Sequence, residues 1–212
     1  MDPDGKKQRP ARLLAVAAAA AAIAAAAAPA FAETGGATGS SAPPAAGVVT
    51  STGGGAMYVP PAGKARLVNG RAIAPADAPP EVRRVIAFAN RIVSKPYRYG
   101  GGHRPFAKGL DRGYDCSGAV SYALFGGGFL DAPLDSGSLM RWGKRGRGRW
   151  ITVYAHGGHT FLVVAGLRFD TGYRDAEARA ASRRLGLPRT GPRWSRKMRP
   201  TRGYVARHPA GF

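Results

Sequence analysis

The chain of 212 residues contains a single cysteine, Cys116, within Tyr114-Asp115-Cys116-Ser117-Gly118. One thiol forms no intramolecular disulfide, so a solitary cysteine in an oxidising compartment is either a small hydrophobe or is kept for its chemistry. Position favours chemistry. The motif lies where a Gly-rich loop gives way to a short apolar stretch, which predicts a helix over 116–125 with Asp115 as its N-cap. In the first turn of a helix, unpaired backbone N–H groups and the positive end of the dipole stabilise a thiolate. Cys116 is therefore the candidate nucleophile.

A thiolate nucleophile needs a base within hydrogen-bond reach and a third group that fixes the orientation of that base. His159 stands where the Gly157-Gly158 turn enters an apolar run, and Asp170 follows one hairpin later in Arg168-Phe169-Asp170-Thr171. Antiparallel pairing brings the start of one strand beside the end of the next, so the two side chains meet if they share a face. Cys116, His159 and Asp170 then form a triad in chain order. His156, on the far side of the turn, is the alternative base, and Asp170 has an alternative reading as a turn residue. His103, in the Gly-rich loop, and His208, near the end of the sequence, read as solvated or structural. One cysteine and scattered histidines lack the clustered spacing that zinc requires, so neither a metal nor another cofactor is expected.

The elements that must position these residues occupy the second part of the chain. Residues 1–32 read as a secretory signal: Lys6, Lys7, Arg9 and Arg12, then an apolar run over 13–28, then Ala30-Phe31-Ala32 as a cleavage site. The run is shorter than the roughly 20 residues a spanning helix needs, which disfavours the alternative of an uncleaved anchor. No cysteine directly follows the cleavage site, which excludes a lipid-anchored lipoprotein. No later segment is apolar enough to span. Removing the four basic and two acidic residues of the signal leaves 28 basic and 10 acidic ones, a formal charge of +18. Outside a cell such a charge seeks wall carboxylates, wall phosphates or anionic lipid, and no aromatic-interleaved basic motif points to nucleic acid. A compositional arginine bias is the competing explanation.

Residues 33–79 are Gly-, Ala-, Pro- and Ser-rich and read as a flexible linker, with Met57-Tyr58-Val59 its one apolar patch. From Pro80, the spacing of Val82, Val85, Ile86, Ala89, Ile92 and Val93 predicts an amphipathic helix ended before Pro96. A loop over 97–113 leads to Cys116. Segments 150–155, 160–165 and 167–171 predict an antiparallel meander, 174–185 a charged helix, and 203–207 a last short strand. Residues 80–212 thus read as one α+β domain in which the nucleophile helix packs on a small antiparallel sheet.

The run Pro96-Tyr97-Arg98-Tyr99-Gly100-Gly101, then Tyr114-Asp115-Cys116-Ser117-Gly118, then Gly158-His159 opening an apolar strand, resembles the successive motifs of the NlpC/p-sixty cell-wall cysteine peptidases over about 80–171. The resemblance implies a papain-like α+β fold and hydrolysis of peptidoglycan stem peptides, usually at the bond from the D-glutamate γ-carboxyl to the diamino acid. It implies a bacterial protein secreted to the cell envelope. Position by position, Cys116 matches the nucleophile and His159 the base. Tyr97 matches the tyrosine near the oxyanion site, and Asp115 and Ser117 match positions that help hold the peptide. The third family residue falls on Asp170 after a turn one residue shorter than usual. The loop between Tyr97 and Cys116 is longer than in the family, and the charged C-terminal extension from Tyr173 is additional. A monomer is expected. Two other function classes stand beside this one: a non-catalytic wall-binding or scaffold protein, and an acyltransferase or amidase using the same Cys-His pair.

Overall fold

The computed structural model describes residues 63–172 and 175–212, so the signal reading of 1–32 and the linker reading of 33–62 lie outside the described residues. The described part is a mixed α/β structure with four α-helices and two antiparallel sheets. A hairpin, β1 (Arg66–Val68) and β2 (Arg71–Ile73), precedes α1 (Pro80–Ile92). Helix α2 (Cys116–Gly126) and the single turn α3 (Ser136–Leu139) follow. Next come β3 (Lys144–Arg145), β4 (Ile151–His156), β5 (His159–Val164) and β6 (Leu167–Asp170). Helix α4 (Ala176–Arg184), β7 (Arg193–Ser195) and β8 (Val205–His208) complete the order.

The larger sheet has six strands in the order β3-β8-β4-β5-β6-β7, with every neighbour pair antiparallel. Helix α2 lies between α1 and strands β5 and β6. It is apolar nearly all round, as a helix covered on several sides must be, and Val120, Ala123 and Leu124 are buried in it. Helix α1 buries a single stripe, Val82, Val85, Ile86, Ala89 and Ile92, and turns its arginines to solvent. Among the described residues no helix is long and apolar enough to cross a membrane.

The hairpin corrects the reading of 33–79 as a linker throughout. Asn69 and Gly70 both have positive φ, 47° and 73°, the two-residue turn that Asn-Gly favours between paired strands. Small residues dominate the surrounding composition and hide that signal. The hairpin is held to the domain by Asn90 on α1. Its Oδ1 accepts from Ala72 N at 3.0 Å and from Trp194 Nε1 at 2.9 Å, while its Nδ2 donates to Ala72 O at 2.8 Å. Ala65, Ala72 and Ala78 join the core. The meander, α1 and α2 fall within a residue or two of their expected bounds, whereas α3, β3 and β7 are additions.

One amide thus joins the hairpin, α1 and β7. Asn90→Ala should destabilise the domain by about 1–3 kcal/mol through three lost hydrogen bonds and unpaired partners. Trypsin cleavage after Arg66 or Arg71 should accelerate as the hairpin detaches. Unchanged cleavage with an unchanged urea midpoint would remove Asn90 from this role.

Candidate active site

Asp115 precedes α2 in an extended conformation, and its Oδ1 accepts from Gly118 N at 2.8 Å, fixing the first turn that carries Cys116. The loop from Pro96 to Tyr114 is laid directly on that turn. Tyr97 bridges Tyr114, Tyr114 N donates to Pro96 O at 3.0 Å, and Asp115 N donates to Gly101 O at 3.0 Å. A Cβ at Gly118 would sit 2.1 Å from Gly101 O, so glycine is what lets this backbone approach the helix. Cys116 is half-buried at the mouth of a cleft of ≈ 360 Å³, with Tyr97 and Ser117 beside it and Gly157-Gly158 opposite.

The candidate base comes from the sheet. Leu162 pairs with Phe169 and Val163 with Arg168, so extending the register sets Phe161 against Asp170 and His159 against Gly172. His159 and Asp170 then share a face as diagonal neighbours, within reach of a ring and a carboxylate. His159 Nε2 lies 2.9 Å from Asp170 Oδ1, and the Cys116 thiol acts on the same ring, raising its pKa. With Nε2 committed to the carboxylate, Nδ1 is the ring nitrogen left for another partner. The ring's close neighbour across the ladder is Gly172, where a Cβ would come within 2.8 Å of Cε1. Burial works to lower the His159 pKa. The hydrogen bond to Asp170, the Cys116 thiol and the fields of both outweigh it, and the pKa rises to about 9.

Asp170 is itself clamped. Its Oδ1 also accepts from Gly172 N at 2.8 Å, and its Oδ2 lies 3.1 Å from Arg199 Nη1 and 3.6 Å from Arg168 Nε. Burial would raise its pKa, but the bonds from His159 and Gly172 and the charges of His159 and Arg199 lower it below the ordinary carboxylate value. Arg199 and Tyr204 are site residues that sequence reasoning missed. Both lie in the segment before β8, and the Tyr204 ring is 4.3 Å from His156 and 6.5 Å from His159. A single arginine among many carries no distinguishing signal before the fold is known.

The remaining expected residues divide. His156 pairs with His159 across the turn and its Nδ1 accepts from Gly158 N at 3.0 Å, away from Asp170. His208 bonds Gly146 O at 3.1 Å on the β3–β8 side of the sheet. Tyr97 lines the cleft, and burial together with Cys116 and Asp115 raises its pKa. His103, read as solvated or structural, also lines the cleft, its Nε2 at 3.0 and 3.2 Å from the two Asp115 oxygens. The signal for it is the extra length of the loop ahead of Cys116. Among the described residues no group of three or more His, Cys, Asp or Glu is arranged to hold a metal. No family model and no curated protein matches the chain.

Because folding raises the His159 pKa from 6.5 to about 9, its protonation stabilises the folded state fully below pH 6.5 and ceases to do so as pH rises through about 9. The thermal midpoint should therefore decline across that window. In Asp170→Asn the decline should flatten, and the His159 titration followed by NMR should move down toward 6.5. A His159 midpoint that does not move would show that Asp170 does not hold the proton there.

Proposed function

We propose that the chain is a secreted cysteine endopeptidase that hydrolyses peptidoglycan stem peptides, built on a papain-like NlpC-type domain. The observation that carries this reading is one imidazole that lies 2.9 Å from Asp170 and is acted on by the Cys116 thiol, which itself opens on a cleft. The motif resemblance, with Tyr97, Asp115 and Ser117 around the same cleft, supplies the substrate class. The charge of +18 after signal removal favours residence among anionic wall polymers. All three triad members come from one chain, so a monomer suffices.

In this reading the proton of the Cys116 thiol passes to His159, and the sulfur attacks the carbonyl carbon of the scissile amide. The oxyanion is met by the Cys116 backbone N–H at the start of α2 and by the Tyr97 hydroxyl. The imidazolium gives its proton to the leaving amine as the C–N bond breaks, leaving a thioester. Water, deprotonated by His159, then hydrolyses the thioester and restores the thiol. Asp170 accepts the Nε2–H throughout and holds the ring with Nδ1 toward sulfur.

Mass spectrometry of digested peptidoglycan tests the reading and identifies the bond. The wild-type protein should release fragments cut between D-glutamate and the diamino acid. Cys116→Ala should release none and melt at nearly the wild-type temperature. His159→Ala should lose about 10²–10⁴ in kcat, the usual contribution of a general acid–base, and Asp170→Ala less. Fragment release by Cys116→Ala at the wild-type rate would end the hydrolase proposal.

A further inference from the structure

On one flank of α4, three guanidinium groups border a single pocket that contains no carboxylate. Arg179 and Arg183 stand one turn apart on the helix and Arg189 follows in the loop after it; with Ser182 and Leu187 they line a space of ≈ 360 Å³. The pocket shares no lining residue with the cleft at Cys116. None of the three arginine side chains makes a hydrogen bond or ion pair to a described residue. The two acidic residues of this segment are engaged elsewhere: Asp175 accepts from Ala178 N at 2.9 Å and pairs with Arg168 at 3.0 Å, and Glu177, on the opposite flank of the helix, pairs with Arg196. Like charges four residues apart weaken a helix, so Arg179 and Arg183 are not explained by the stability of α4.

The frame of the pocket is set without a ligand. Leu187 N donates to Ser182 O at 2.9 Å, and Arg193 donates from Nε to Ser182 Oγ at 3.1 Å and from Nη2 to Pro188 O at 2.6 Å. Further along, Tyr97 N donates to Thr190 O at 3.0 Å, and Gly191 lies so close to the chain before it that a Cβ there would sit 2.2 Å from Lys95 O. The loop that carries Arg189 is thus fixed on both sides of that residue, which lowers the ordering cost of binding. Ser182 is 5% exposed, and while its Oγ accepts from Arg193, its own hydrogen has no acceptor among the described residues. A buried hydroxyl with an unused hydrogen beside three cations is a donor suited to an anionic oxygen.

We infer that this pocket binds the phosphodiester groups of a linear anionic polymer that carries no aromatic bases. The planar fork of a guanidinium matches two phosphate oxygens, and three forks around one pocket suit a chain that brings its charge in repeats. The lining contains no ring on which a base could stack, which disfavours a nucleic acid. Leu187 is its one large apolar side chain, too little for the surface of a bilayer. The inference goes beyond the hydrolase reading and does not depend on it.

The test measures, by fluorescence anisotropy on the full chain, the binding of a labelled oligomer of glycerol phosphodiester. Replacing Arg179, Arg183 and Arg189 together by Gln should weaken binding about tenfold. A control variant with the same loss of charge, Arg145→Gln, Arg147→Gln and Arg202→Gln, removes exposed arginines outside the pocket and should weaken it only about twofold. Equal losses in the two variants would show that net charge alone attracts the oligomer and would overturn the site, as would no measurable binding to the wild-type chain. Melting curves check that each variant folds; should the pocket variant not fold, Arg189→Gln alone, off the helix, should still weaken binding more than Arg202→Gln alone. A single-stranded DNA, an oligogalacturonate of equal charge and phosphatidylglycerol vesicles serve as competitors. Each should displace the oligomer less well than unlabelled oligomer does, and one that displaces it better would overturn the assignment to a phosphodiester polymer.

Discussion

The imidazole of His159 is held by a carboxylate on its own sheet and feels a thiol carried by a helix, and the register of the sheet and the start of that helix are what bring the three together. The carboxylate side is a matter of register. With Val163 opposite Arg168, His159 and Asp170 fall on one face two positions out of step, and the 2.9 Å contact follows from the ladder. A slip of one residue would send Asp170 to the opposite face and leave the ring without an acceptor. The sulfur side depends on where α2 begins. Asp115 fixes that start with one oxygen, and the packing of α2 against α1, β5 and β6 sets the helix at the required distance from the sheet.

Asp170 shows how such an arrangement is maintained electrostatically. Its side chain is 1% exposed, and an unpaired anion that deep would cost several kcal/mol. Arg199 and Arg168 lie against one oxygen, and His159 and the Gly172 amide against the other. The division orients the carboxylate as well as neutralising it, because each oxygen has its own partners. Arg168 is tied in turn to Asp175, the N-cap of α4, at 3.0 Å. The charged segment after β6 is therefore connected to Asp170 through two ion pairs.

Much of this was legible in the chain because the decisive residues sit at element boundaries, where local rules are strong. Asp115 before an apolar run announced a helix start, and Gly157-Gly158 between two alternating runs announced a hairpin. Those two facts bring Cys116 and His159 to the ends of their elements. The early hairpin was missed although Asn69-Gly70 is a strong turn signal, since strands of three residues show almost no periodicity amid small residues. Strand β7 is hidden for the same reason, and β3 has only two residues. Arg199 and His103 act over separations of 29 and 12 residues, which no local pattern encodes. Asp115 shows what a local reading leaves out: the motif marks it as a helix cap, but only the tertiary structure shows that it also binds Gly100 and His103 of the loop above it.

The position of β8 has a consequence for how such a domain can be made. This strand is last in sequence yet lies inside the larger sheet, between β3 and β4, and Phe212 O receives the amides of Trp150 and Ile151. Strands β4 to β7 follow chain order, but β3 joins the sheet only through β8, so that edge waits for residues 205–212. Arg199, which clamps the acid, arrives just before them. A nascent chain therefore holds the Cys116 thiol and the His159 imidazole well before it holds the Arg199 and β8 residues that complete their surroundings.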